Sequence, residues 1–181
     1  MQDALINSTP SDLRIMNRKK LFALGLSRED ADAFLMHPQY TPWNKTAITE
    51  ALARIGVTPS AFLKQACKAS SQEDAFYFQR LAQLLLQYHG AIAPLHSIRL
   101  VNGLICGIDR DENLIIPVSQ DYAIWTERIA ARTDEFVDFP HSRGRKGISL
   151  WTDGQLSVRF CDELKTRGIT WKMNALESNK H

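Results

Sequence analysis

An Asn-Gly pair at positions 102 and 103 stands between two apolar runs, Ser97–Val101 and Leu104–Ile108. The tightest hairpin turn needs positive φ at both central positions, and Asn-Gly adopts it most readily. The spacing therefore predicts two antiparallel strands here. A polar turn at Asp109–Asn113 and a further apolar run, Leu114–Val118, extend them to a three-stranded meander. Pro117 has no N–H for a ladder, which predicts a sheet edge at the end of the third strand. Whatever else the chain forms has to pack around this sheet.

Upstream the period is helical. Asp12–Leu24 places Leu13, Met16, Lys20 and Leu21 on one face, and Gly25 is a stop. Ser27 caps a second helix that ends at His37-Pro38. A third begins at Asn44 or Lys45 and carries Ile48, Leu52 and Ile55 inward. Thr58-Pro59 reads as a threonine cap with proline in the first helical position. Ser70 or Ser71 caps a fifth helix running to about His89. It is apolar on most sides, the pattern of a helix at the hub of a bundle.

Downstream of the meander, Ser119–Phe136 returns to helical spacing, 137–147 is a loop, and Ile148–Trp151 is a strand. Thr152–Gly154 turns the chain. Ser157 then caps a helix whose inner face is Val158, Cys161 and Leu164, and Ile169–Met173 is a last strand. The fold class is α+β: a helical bundle of about five helices over 11–90, packed on a small, mostly antiparallel sheet with two helices over 95–176. The boundary falls near Pro94, and so short a join predicts halves that pack together.

Composition narrows the function classes. The chain has 181 residues, 44% of them hydrophobic, with 22 Lys and Arg against 20 Asp and Glu. A net charge of +2 provides no global field toward nucleic acid or anionic lipid. No apolar run reaches the length of a spanning helix, so no membrane insertion is expected. The first 26 residues lack the apolar core of a signal peptide, and a cytoplasmic location is the expectation. Cys67, Cys106 and Cys161 are too few and too scattered for a disulfide framework or a metal site, and read as buried free thiols.

The segment His141–Gly147, HSRGRKG, offers Arg143, Arg145 and Lys146 among two glycines, a combination suited to gripping an anion. It lacks phosphate-loop spacing and precedes a strand, so the competing reading is a solvated basic loop. Arg99, Arg128, Arg132 and Arg159 would enlarge a basic patch if the fold gathered them, and Trp151 would add a stacking face; on these residues nucleic-acid binding is expected to be weak at most. Asp109, Asp111 and Asn113 resemble half of a calcium loop, but the sixth and twelfth places hold Leu114 and Gln120, so no metal site is assigned. His89 and His96 flank the boundary without a third ligand in view. Cys161, early in a helix, and His141 are the two catalytic candidates, yet Cys161 also falls on an apolar face. Tyr40 and Trp43, in the loop QYTPWN, are candidates for a partner contact.

No cofactor is implied by any motif. The leading expectation is a non-enzymatic binding or interaction module whose partner is another protein. The alternatives are a hydrolase or transferase acting on an anionic substrate held by the 141–147 loop, and a weak nucleic-acid-binding domain.

Overall fold

The structure is a computed structural model; it describes residues 9–142 and 147–177, without the side chains of 138–142. Before the sheet come α1 (Pro10–Ala23), α2 (Arg28–Leu35), α3 (Pro42–Ile55), α4 (Ser60–Ala66) and α5 (Gln72–Ala91). The meander is β1 (Leu95–Val101), β2 (Leu104–Asp109) and β3 (Leu114–Val118). There follow β4 (Tyr122–Ala123), α6 (Glu127–Ser142), β5 (Ile148–Thr152), β6 (Gln155–Leu156), α7 (Val158–Thr166) and β7 (Thr170–Lys172). Among the described residues no helix is long and apolar enough to cross a membrane.

Local chemistry explains most helix starts. Thr9 and Thr41 each accept the N–H three residues on, and Asp12 and Asn44 reach back to the cap N–H. These are two capping boxes, each with proline in the first turn. α3 thus begins at Pro42, earlier than Asn44 or Lys45. At Thr58-Pro59 the same residues do something else: α4 starts at Ser60, Pro59 occupies the cap position, and no side chain caps it. Three residues after Thr58 stands Ala61, which has nothing to reach back with. In urea unfolding, Thr41→Ala is therefore expected to cost about 1 kcal/mol, and Thr58→Ala no more than a few tenths.

The buried stripe of α1 is Leu13, Asn17 and Leu21, not the face containing Met16 and Lys20. Met16 is exposed, and Lys20 pairs with Glu50 on α3. Asn17 Nδ2 donates to Thr46 Oγ1 at 2.9 Å, and that hydroxyl donates to the Pro42 carbonyl at 2.9 Å. Residue 17 meets 46 and residue 20 meets 50, so α1 and α3 lie side by side and run in the same direction.

The chain divides into two compact units, residues 1–82 and 83–181. The division falls inside α5, earlier than the expected boundary near Pro94. The first part of α5 contributes Ala75, Leu81 and Ala82 to one core; the second contributes Leu84, Leu85 and Tyr88 to the other. α5 is therefore not simply the hub of a five-helix bundle. Its apolar girth is shared between two cores.

In the second unit the strand order is β1-β2-β3-β5-β7. β1–β2 and β2–β3 are antiparallel, whereas β3–β5 and β5–β7 are parallel. The sheet is thus mixed, not mostly antiparallel: parallel neighbours need long crossovers, and α6 and α7 supply them. Asn102 and Gly103 take φ values of 47° and 79°, as the hairpin requires. The β1–β2 register slips between Leu95 and Ser97, a bulge at the start of the edge strand. Pro117 lies in the central strand and not at an edge. It is tolerated there because the β2–β3 register ends at Gly107–Ile115, while β5 continues alongside through Val118–Thr152.

Ser119–Thr126 is not helical. It carries β4, which pairs in parallel with β6, and α6 begins only at Glu127. α6 then continues to Ser142, through the first part of the expected loop. In α7, Ser157 caps as expected, but the inward residues are Phe160 and Leu164, and Val158 is exposed.

Alternation along the strands separates two faces. Cys106, Ile108, Leu114, Ile116, Ile148 and Leu150 form one core with Phe136 of α6 and with Phe160 and Leu164 of α7. Ile105, Gly107, Asp109, Ile115 and Trp151 fall on the opposite face. There the end of α5 covers β2: a Cβ on Gly107 would lie 3.0 Å from Leu85 Cδ2.

Candidate functional site

Among the described residues of the second unit, the end of α5 covers the opposite face over β2 and leaves a trough over β5 and β7. Beyond α5 the sheet continues into β5 and β7, whose register sets Ser149 against Thr170 and Trp151 against Lys172. These four residues line an open trough of about 410 Å³ beside Tyr88, while Trp171, set against Leu150 and packed on the other core, borders it at the sheet edge. Tyr88 and Trp151 pack edge to face, ring centroids 5.2 Å apart, and the Trp151 indole donates to Ser149 Oγ at 3.1 Å. Tyr88 and Trp151 are thus held by neighbours, and exposed Lys172 supplies a cation.

A buried carboxylate anchors this arrangement. Asp109 is fully buried at the end of β2. Its Oδ2 accepts from the Tyr88 hydroxyl at 2.7 Å and from Asn113 Nδ2 at 3.0 Å. Its Oδ1 accepts the backbone N–H groups of Asp111 and Asn113, both at 2.9 Å. Burial alone would push the carboxyl up, but the four hydrogen bonds outweigh it and hold Asp109 below the ordinary carboxylate value. Burial, and then the bond to Asp109, push the Tyr88 phenol up, so it remains a donor. The polar turn Asp109–Asn113 is a staple between α5 and the meander.

The candidates named from sequence are dispersed. Arg143, Arg145 and Lys146 lie outside the described residues. His141 is in the last turn of α6, and its side chain lies outside them too. Gly147, which closes that segment, does line the trough, and a Cβ there would come within 3.0 Å of Asn113 Oδ1. Cys161 is half-buried, and burial followed by the charge of Asp162 pushes its thiol up, away from a reactive thiolate. Tyr40 and Trp43 do not form a joint contact patch. Tyr40 is buried, donates to the Ala66 carbonyl at 2.7 Å, and packs edge-on against Phe34 and His37; Trp43 is 56% exposed. Each histidine flanking the expected boundary has its own partner. His89 Nδ1 accepts the Leu95 N–H at 3.0 Å, and His96 Nε2 meets Glu112 at 3.0 Å.

Of the trough residues, Trp151, Gly147 and Asn113 stood out in the sequence, each for a different reason. Trp171 and Lys172 did not, although the polar-aromatic-polar alternation of Thr170, Trp171 and Lys172 is the signal of a strand with one wet face. No family model, no curated protein and no solved structure matches the chain.

Proposed function

We propose that the chain is a non-catalytic binding module whose partner, another protein, seats an apolar anchor side chain in the trough over β5 and β7. The observation that carries this reading is the trough that the described residues of the second unit leave open over β5 and β7, lined by Tyr88 and Trp151. Aromatic walls already fixed by packing lose little freedom on binding, and anchors that fill such hollows dominate interface energies. Exposed Lys172 favours an acidic residue beside the anchor.

Affinity capture with the full chain tests it. The partner retained by the wild type and by Trp43→Ala is expected to be lost with Thr170→Tyr, which fills the trough. A fully seated anchor is worth roughly 2 kcal/mol or more, about thirtyfold in affinity. Retention by Thr170→Tyr together with loss in Trp43→Ala would move the contact to the 40–43 segment.

A second reading is favoured by the position of Gly147 in the trough lining: an enzyme acting on an anionic substrate held by the 141–147 loop, through Arg143, Arg145 and Lys146. It expects turnover of such a substrate to disappear with His141→Ala while binding persists.

A further inference from the structure

Because α1 and α3 run in the same direction, their N-termini lie at one end of the first unit. Pro10 and Pro42, the first residues of the two helices, line a pocket of about 190 Å³ there. Exposed Pro10 and Pro42 give it an apolar wall, and buried Leu13, Asn17 and Leu35 lie at its base. Arg14 from α1 and Lys45 from α3 line the same hollow.

Nothing described in the chain neutralises these two cations. Arg14 Nη1 meets only the Met36 sulfur, at 3.6 Å. The carboxylates of neighbouring turns are engaged elsewhere: Asp12 with the Thr9 N–H and hydroxyl, Asp32 with Arg18 and Arg28, and Glu50 with Lys20. Burial, and then the charge of Arg14, hold the Lys45 amine below the ordinary lysine range. Two parallel helix dipoles add partial positive charge at the same end. Like charges are thus concentrated around a concavity that is polar on one side and apolar on the other.

We infer that this pocket binds a small phosphate monoester, the phosphoryl group lying between Arg14 and Lys45 and the organic part against the rings of Pro10 and Pro42. The guanidinium supplies a planar fork of donors and the ammonium a point charge, the two ways in which side chains grip phosphate. The site belongs to the first unit and does not depend on the trough.

Isothermal titration of the full chain at fixed ionic strength tests the assignment, with inorganic phosphate and phenyl phosphate as probes. Both are expected to bind, the ester more tightly because it also covers the apolar wall. Arg14→Gln and Lys45→Gln each weaken binding about tenfold, the effect of losing one charge-assisted bond. Arg54→Gln, in the last turn of α3, leaves it unchanged. Amide shifts on adding phenyl phosphate to the unaltered chain locate the site independently of any variant, and are expected at residues 11–14 and 43–46. No heat with either probe, an ester that binds no better than phosphate, affinity untouched by both substitutions, or shifts confined to other residues would each overturn the inference.

Discussion

Gly154→Ala is expected to destabilise the second unit by about 3 kcal/mol or more, seen as an early loss of tryptophan fluorescence in urea. The reason is backbone and not side-chain crowding. A Cβ at Gly154 would lie 2.0 Å from the Gln120 carbonyl oxygen and 2.4 Å from that of Asp121. Neither can step aside, because both belong to a knot at the ends of the parallel strands. Asp153 accepts from Ser119 Oγ at 2.7 Å and from the Gln120 N–H at 3.0 Å. The Gln155 N–H donates to Asp121, and the Gly154 carbonyl accepts from Asn174. Serine at 154 should fail as alanine does, since the clash is with the first carbon of any side chain.

Asp109→Ala is the second large effect, about 3 kcal/mol, because it leaves the buried Tyr88 hydroxyl, and the part-buried Asn113 amide and backbone N–H groups of Asp111 and Asn113, without their acceptor. Tyr88→Phe removes one of those bonds and is expected to cost about 1 kcal/mol. The two single effects should not add, since the groups share a bond. The pH dependence has a definite sign. Asp109 titrates below its ordinary value of 3.8 in the folded chain. Its contribution is therefore complete above the unfolded value of about 3.9 and is lost as pH falls through the folded one. The wild type should lose stability below about pH 4, and Asp109→Ala should lack that share of the acid limb in denaturation followed from pH 7 to pH 2.

Where a few neighbouring residues decide a conformation, the sequence was readable. The Asn102-Gly103 turn, the Ser27 and Ser157 caps and the three meander strands all rest on local chemistry of this kind. Where the decision depends on distant partners, it was not. Tyr122 and Trp125 imitate a helical period, but Gln155 and Leu156 draw Tyr122–Ala123 into a strand pair. Ile148–Trp151 reads as a strand, yet its parallel placement beside β3 comes from the long crossover through residues 119–147. The threonine caps show that even local signals need their full complement, since Thr58 lacks the residue at the third position that Thr9 and Thr41 have. The trough was half legible. Trp151 is conspicuous in any reading, but a three-residue strand is too short for its alternation to announce which side of Trp171 and Lys172 stays wet. The pocket between Arg14 and Lys45 was hidden because nothing in the sequence says that two helices thirty residues apart share a direction.

The bulge at the start of β1 bears on how such a sheet survives in concentrated solution. A sheet with open edges is a template for copies of itself, and end-to-end growth into fibrils begins on its longest flat margin. Here that margin is β1, seven residues long, and the slip between Leu95 and Ser97 bends it where a second molecule would have to align. Exposed His96 and Arg99 put polar and charged groups along the same margin, and the opposite one, β7, offers only three residues. The trough over β5 and β7 can thus stay open without the sheet's margins inviting polymerisation.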